Sequence, residues 1–250
     1  MTFEKKIVGD CTLYRGDCLE LLRAGVINAF DVVLTDPPYE MAVQSISNAS
    51  PNGTRVFKFD WDTKGVTENH VLPVLQHCSA MARYTVLSFC NTEQIGEICA
   101  TMRKQGLTAK HAAWVKPYPP PPAPGNWWPS SFETIVYGFK RNAPFFDTNP
   151  GRCNVFIVDS LRYGRAEKVG HPNQKPVALV SYLVRSITPP ESVVADPYMG
   201  SGSTAIAALS LGHTFIGCEI DPGHFDVACR RIEAFYQKQG ISLPVLKTIP

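Results

Sequence analysis

Between Ser192 and Leu209 the chain runs from a β-branched segment through a glycine-rich turn straight into a helical one. Ser192-Val193-Val194-Ala195 shows no polar alternation and reads as a strand buried on both faces. Asp196-Pro197-Tyr198-Met199-Gly200-Ser201-Gly202-Ser203-Thr204 breaks it, and Ala205-Ile206-Ala207-Ala208-Leu209 continues as helix. A buried strand feeding a helix is half of a βαβ unit, which needs a parallel neighbour and a sheet covered on both faces. The rhythm recurs along the chain. Phe30 to Leu34, Tyr84 to Phe89, Phe132 to Phe139 and Thr214 to Cys218 read as further strands. Thr92 to Gln105, Pro176 to Ile187, Thr204 to Leu211 and Pro222 to Gln237 read as helices, the last with Asp221 as N-cap and Pro222 at its first position. The expectation is an α/β fold with a mostly parallel sheet and no internal repeat.

Composition excludes several classes. With 44% hydrophobic and 18% charged residues in 250, the chain is long enough for one large domain and too apolar for a disordered one. Lys and Arg number 24 against 22 Asp and Glu, so polyanion binding has to come from a local patch. No apolar run approaches the roughly 18 residues of a membrane helix. Met1 to Lys6 has no apolar signal core, and the expected location is the cytoplasm. The cysteines at 11, 18, 78, 90, 99, 153, 218 and 229 form no Cys-x-x-Cys pair and do not cluster with histidine. They read as reduced, mostly buried thiols, with no metal site expected.

Two places carry chemistry. The Phe30 strand delivers Asp36-Pro37-Pro38-Tyr39 to its carboxyl end, where open α/β sheets place their ligands. The two prolines stiffen the backbone, so the Asp36 carboxylate and the Pro37 carbonyl form a fork of two acceptors suited to an NH2 group. Tyr39 adds a flat face on which a ring can stack, although Asp-Pro-Pro also serves as a plain strand-ending turn. At the second place, Gly200 and Gly202 let a ligand approach the backbone before a helix N-terminus. No Gly-Lys-Ser/Thr follows, so this is not a P-loop, and Ala205 breaks the Gly-x-Gly-x-x-Gly dinucleotide spacing. Glu219 ends the next strand, where a carboxylate accepts hydrogen bonds from ribose hydroxyls. A nucleoside-bearing cofactor without a pyrophosphate fits best, and a turn chosen only for packing is the bland alternative.

Two stretches interrupt the rhythm. Glu40 to Trp61 is rich in Ser, Asn, Gly and Thr and reads as a mobile loop. The other runs from Lys116 through prolines 119–122 and Pro124 to Trp128, then resumes as Lys140 to Gly170. Its prolines fit a stiff spacer or a ligand for a proline-binding module as well. Within 140–170, Lys140, Arg141, Arg152, Arg162, Arg165 and Lys168 outnumber Asp147, Asp159 and Glu167 by six to three. That local +3 in a chain totalling +2 marks a candidate polyanion-binding insert, with a solvated surface loop as the alternative.

The order of these motifs resembles that of the amino-group DNA methyltransferases that use S-adenosylmethionine, in the circularly permuted (beta) class. The Asp-Pro-Pro-Tyr motif stands first, at 36, and the Asp196 to Thr204 turn follows. Between them His171-Pro172-Asn173-Gln174-Lys175-Pro176 is similar to the family's His-Pro-x-Gln-Lys-Pro segment. The likeness extends from about Tyr14 to Ala234. It implies one Rossmann-like domain over 1–250, with a seven-stranded mostly parallel sheet and one antiparallel edge hairpin. It implies that Asp36, Pro37, Pro38 and Tyr39 are catalytic. Asp196, Met199, Gly200, Gly202, Ser203 and Thr204 hold the methionine and sugar end of the cofactor, Glu219 the ribose, Asp17 with Cys18 the adenine edge, and Lys175 the methionine carboxylate. Bland readings make Asp17 a turn residue and Lys175 a helix-start lysine. The implied DNA contacts are Arg141, Arg152, Arg162, Arg165 and Lys168, with the Glu40 to Trp61 loop closing over a flipped base. Asp at the first position of the tetrapeptide favours adenine N6, since Ser there is commoner among cytosine N4 enzymes. The substrate implied is double-stranded DNA of a bacterium or phage. A catalytically silent DNA-binding relative and a small-molecule methyltransferase are the rivals. Target sequence, homodimer or monomer, and a restriction endonuclease partner or none stay open.

Overall fold

A computed structural model of the chain describes residues 3–39, 64–118, 128–161, 167–169 and 173–240. Its strands are β1 (Glu4–Val8), β2 (Cys11–Arg15), β3 (Val32–Thr35), β4 (Thr85–Cys90), β5 (Thr108–Val115), β6 (Phe132–Phe139), β7 (Val155–Ile157), β8 (Val193–Asp196) and β9 (Thr214–Glu219). Its helices are α1 (Cys18–Arg23), α2 (Leu72–Met81), α3 (Ile95–Lys104), α4 (Val177–Ile187), α5 (Ser203–Ser210) and α6 (Pro222–Lys238), with a wider π turn, Thr67–Val71, leading into α2. All the elements read from the sequence are present, β6 with the ends as read and the others with ends shifted by up to three residues. Thr92 to Gln105, for example, narrows to α3. Those not foreseen are short, such as α1, or lack a clean apolar period, such as β5, whose Ala-rich sequence alternates weakly.

The strands form one sheet in the order β1-β2-β9-β8-β3-β4-β6-β5-β7. β2, β9, β8, β3 and β4 pair in parallel, whereas β1 and β6 run against their neighbours. The expected count of seven is therefore corrected to nine among the described residues. One antiparallel hairpin lies at the β1 edge as expected; a second antiparallel contact, β6 inserted between β4 and β5, was not anticipated. Within the Lys140 to Gly170 stretch, residues 155–157 add β7 beside β5 at the opposite edge.

Helices cover both faces, as buried parallel strands require. Leu34 and Phe89 look toward Leu179 of α4, Ala205 of α5 and Phe225 of α6. Val33 and Val86 look the other way, toward Leu19 of α1, Val74 of α2 and Ile98 of α3. From the centre of the sheet, β3 leads through α2 toward β4, while β8 leads through α5 toward β9 on the other side. β3 and β8 thus flank the topological switch point, and their carboxyl ends open one crevice. Among the described residues no helix is long and apolar enough to cross a membrane. All eight cysteines are free, seven of them buried and Cys153 exposed.

The hairpin is fastened to the last helix by one side chain. Tyr236 of α6 accepts a hydrogen bond from the Asp10 amide at 2.8 Å and donates to the Asp10 carboxylate at 3.1 Å. Gly9, at φ +55°, lies so close to the Tyr236 ring that any Cβ would overlap it. Tyr236→Phe removes the partner of the Asp10 amide and is expected to destabilise the fold by about 0.5–1.5 kcal/mol. Urea unfolding of the variant beside wild type measures this.

Candidate active site

At the crevice lies a cavity of about 380 Å³. Its walls combine the Asp36-Pro37-Pro38-Tyr39 segment after β3 with Asp196, Met199, Gly200, Ser203 and Thr204 after β8. Glu219 closes the end of β9, and Asp17 and Lys175 complete the ring. The register of β3 on β8, with Val33 opposite Ala195, puts the two motifs side by side. A direct hydrogen bond joins them. Thr35 donates to Asp196 Oδ1 at 2.7 Å, Thr204 donates to Oδ2 at 2.7 Å, and the Tyr198 amide donates to Oδ1 at 3.1 Å. Burial pushes the Asp196 carboxyl up to about 7, against those three donors.

The glycine turn is shaped by its backbone. Gly200 and Gly202 both take positive φ, at 50° and 77°. The Gly200 amide donates to Glu219 Oε2 at 3.0 Å, and the Asp221 amide donates to Oε1 at 2.8 Å, so Glu219 is oriented from both sides. Burial pushes its carboxyl up. Asp17 caps α1, accepting from the Leu19 amide at 2.7 Å, and lies 3.1 Å from Nε2 of His70. Nδ1 of the same ring lies 2.8 Å from the Tyr198 hydroxyl.

Three of the expected cofactor residues have other partners in the structure. Cys18 does not line the cavity: its side chain is buried beside Cys78, Cys218 and Tyr198, and burial pushes its thiol well up. Gly202 does not line it either. A Cβ there would point at Ala228 of α6, 3.3 Å away, so the glycine answers a backbone and packing demand. Lys175 lines the cavity, and its ammonium is paired with the carboxylates of Asp36 and, at 3.2 Å, Glu133.

Around the tetrapeptide the structure adds residues that the sequence did not single out. The Tyr39 hydroxyl donates to Asp36 Oδ1 at 2.7 Å and lies 3.2 Å from Glu133 Oε2. Gln94, itself buried, donates to the Pro38 carbonyl at 3.3 Å and to Thr67 at 2.9 Å. Glu133 is a lone carboxylate at the start of an otherwise apolar strand, Phe132-Glu133-Thr134-Ile135, and that contrast was its only signal.

Of the candidate DNA contacts, Arg141 and Arg152 are exposed, with Arg152 stacked 5.9 Å from the Phe145 ring. Lys168 is half-buried, and burial together with Lys175 pulls its ammonium down. Arg162 and Arg165 lie outside the described residues, as do Glu40 to Trp61, prolines 119–122, Pro124, His171 and Pro172.

The wall chemistry suits a sulfonium cofactor. Among the described residues, Asp17, Asp36, Asp196, Glu219 and Asp221 place five carboxyl groups around the cavity, against the ammonium of Lys175 and the imidazoles of His70 and His224. An excess of anionic groups around an apolar-lined crevice suits a ligand carrying positive charge, and the volume falls in the range of small-molecule sites.

Comparisons agree with the geometry. A family model described as DNA methylase matches residues 30–230. The chain is 24% identical to the type II methyltransferase M2.MboI of Moraxella bovis, over 88% of this chain and 86% of that one. It is 27% identical to the type II methyltransferase M.HinfI of Haemophilus influenzae, over 88% and 68%. Among solved structures, the M1.HpyAVI–SAM complex superposes with a TM-score of 0.71 at 23% identity, over 89% of this chain and 98% of that one. The PvuII DNA methyltransferase, titled cytosine-N4-specific, gives 0.68 at 17%, over 95% and 96%.

Because Gly202 is left-handed and faces α6, Gly202→Val is expected to act on the fold first, costing about 2–4 kcal/mol through backbone strain and overpacking. Its urea midpoint measures the loss, and an unchanged midpoint contradicts the packing role.

Proposed function

The chain belongs to the DNA methylase family, as a DNA methyltransferase of the N6-adenine/N4-cytosine kind that uses S-adenosylmethionine, and we propose that its target is the N6 amine of an adenine swung out of duplex DNA. The observation that carries the proposal is the Asp36-Pro37-Pro38-Tyr39 segment facing the glycine turn across one cavity. Asp at the head of that segment supports adenine over cytosine, on the family resemblance. Both amines offer the same two hydrogens, so the shape around Tyr39 has to make the distinction.

In this reading Asp196, Met199, Gly200, Ser203, Thr204 and Glu219 hold the cofactor, with Asp17 at the far end. When bound, the cofactor supplies an electrophilic methyl group. The rest falls to the chain's own side chains. A flipped base costs a few kcal/mol of lost pairing and stacking, which stacking on the Tyr39 ring offsets. Asp36 and the Pro37 carbonyl accept the two amine hydrogens, which draws the nitrogen lone pair out of conjugation with the ring. Fixing the amine against the cofactor wall accounts for most of the acceleration. The whole chain acts as one methyltransferase domain, with residues 140–170 meeting the DNA. The relatives named above are bacterial, and the same reading puts the enzyme with DNA in a bacterial cytoplasm.

Asp36→Ala is expected to abolish methyl transfer to unmodified bacteriophage DNA while leaving S-adenosylmethionine affinity within about threefold of wild type, as for a group that acts on the transition state alone. Digestion of DNA methylated by the wild type is expected to release N6-methyladenine. N4-methylcytosine alone would overturn the adenine assignment. Arg152→Ala is expected to weaken DNA binding, with a salt slope about one unit shallower if it meets a phosphate, or a preference relaxed at one base pair if it reads a base. Unchanged affinity, slope and preference would remove Arg152 from the DNA interface.

A further inference from the structure

Two carboxylates share the same two donors behind the tetrapeptide. The Lys175 ammonium pairs with Asp36 Oδ2 and lies 3.2 Å from Glu133 Oε2. The Tyr39 hydroxyl donates to Asp36 Oδ1 at 2.7 Å and lies 3.2 Å from the same Glu133 oxygen. Both donors lie closer to Asp36, and one further cation sits on the Glu133 side. Lys116, one residue beyond β5, pairs with Glu133 Oε1 at 2.5 Å, and no such lysine pairs with Asp36 apart from Lys175 among the described residues. Glu133 is thus held by two ammonium groups and Asp36 by a share of one.

We infer that Glu133, backed by Lys116, is a positioning residue that shares Lys175 with Asp36, so that the ammonium does not serve Asp36 alone and the Asp36 carboxylate stays available as the acceptor for the target amine. This rests on the reading of Asp36 given above. A lysine paired with Asp36 alone would neutralise the acceptor and compete with the amine for its lone pairs. With Glu133 present, the ammonium sits between two anions, steadied over the faces of Tyr39 and Phe89 at 5.5 and 5.0 Å. The same oxygen of Glu133 sets the Tyr39 hydroxyl, and with it the ring that meets the base.

The electrostatics separate the two carboxyls accordingly. Burial pushes Asp36 up and the Glu133 charge adds to it, with Lys175 opposing. Burial acts on Glu133 as well, yet Lys175 and Lys116 together override it and hold Glu133 down at about 2. Carboxyls whose proton affinities are driven apart take different roles. Glu133 stays a permanent anion, while Asp36 can take the proton that the nitrogen sheds on methylation, an N–H bond breaking as an O–H bond forms on Asp36. The other titratable groups that feel the Asp36 charge are Asp196 at the end of β8, which shares the cavity wall, and Cys90 at the end of β4; Lys168 feels that of Lys175.

The test is the pH dependence of kcat for methyl transfer to unmodified bacteriophage DNA, with wild type, Glu133→Gln, Glu133→Asp and Lys116→Met, alongside a cofactor-binding titration for each. Glu133→Gln is expected to lower kcat about 10- to 100-fold with cofactor affinity unchanged. Without the neighbouring anion Asp36 loses its proton more easily, so the acid limb of the profile moves down by about one pH unit. Lys116→Met leaves Glu133 less neutralised and moves the limb up. Glu133→Asp restores part of the rate. A merely structural role lowers activity without opposed shifts, and profiles that coincide with wild type overturn the inference. Should Glu133→Gln fail to fold, the direction of the Lys116→Met shift decides alone. No transfer by wild type overturns the reading beneath and the inference with it, whereas wild-type transfer with unshifted variants overturns the inference only.

Discussion

The parallel pairing of β3 with β8 is the constraint on which the site depends. Val33 opposite Ala195 brings Asp36 and Asp196, 160 positions apart, together at the carboxyl ends of two central strands, and the Thr35 hydroxyl closes the joint on the Asp196 carboxylate. From these two strands the chain leads to β4 on one side and to β9 on the other, the switch point at which such a sheet leaves a crevice. Both faces beneath are filled by fully buried side chains, Leu34 on one and Val33 on the other. The crevice floor therefore has little freedom to move, and reacting groups that need placement to fractions of an ångström gain most from such a floor.

Onto that floor the chain loads more negative charge than the cavity neutralises by itself. Asp196 and Glu219 are pushed toward the protonated form by burial, each restrained by backbone or hydroxyl donors that favour the carboxylate. Asp36 feels the same burial beside a lysine that it does not hold alone. A cationic ligand relieves this accumulation, so the fold tolerates the polar groups at its crevice in return for affinity. The Lys175, Glu133 and Lys116 chain limits the excess on the tetrapeptide side. Lys175 itself is held protonated, because its two carboxylate partners outweigh the burial that favours the neutral amine.

Much of the fold was legible because buried parallel strands and helix starts leave strong local marks. Val193-Val194-Ala195 has no polar alternation, and Asp221 with Pro222 opens α6 as a cap and first residue should, the Asp221 carboxylate accepting from the His224 amide at 2.8 Å. Elements that lean on neighbours left weaker marks. β7 is three residues long with two of them exposed, and it exists because β5 offers it an edge. β6, though its own span was legible, owes its place to pairing on both sides with strands distant in the chain.

The site divides in the same way. The sequence alone determined the two motifs and their order, because Asp36-Pro37-Pro38-Tyr39 and the Asp196 to Thr204 turn need particular residue types within a few positions of one another. The kind of chemistry followed from those local demands. Which way a side chain faces, and which charge lies opposite, was decided only by tertiary structure. Gly202 turned out to make room for Ala228, Cys18 to fill the core, and Lys175 to meet Asp36 and Glu133. Glu133 and Lys116 join the site through strand register, Trp114 lying opposite Glu133 and Lys116 two residues on. A charge 97 positions from Asp36 and another 80 away leave no trace in the local pattern, since electrostatic neighbours are set by packing in space and not by spacing along the chain.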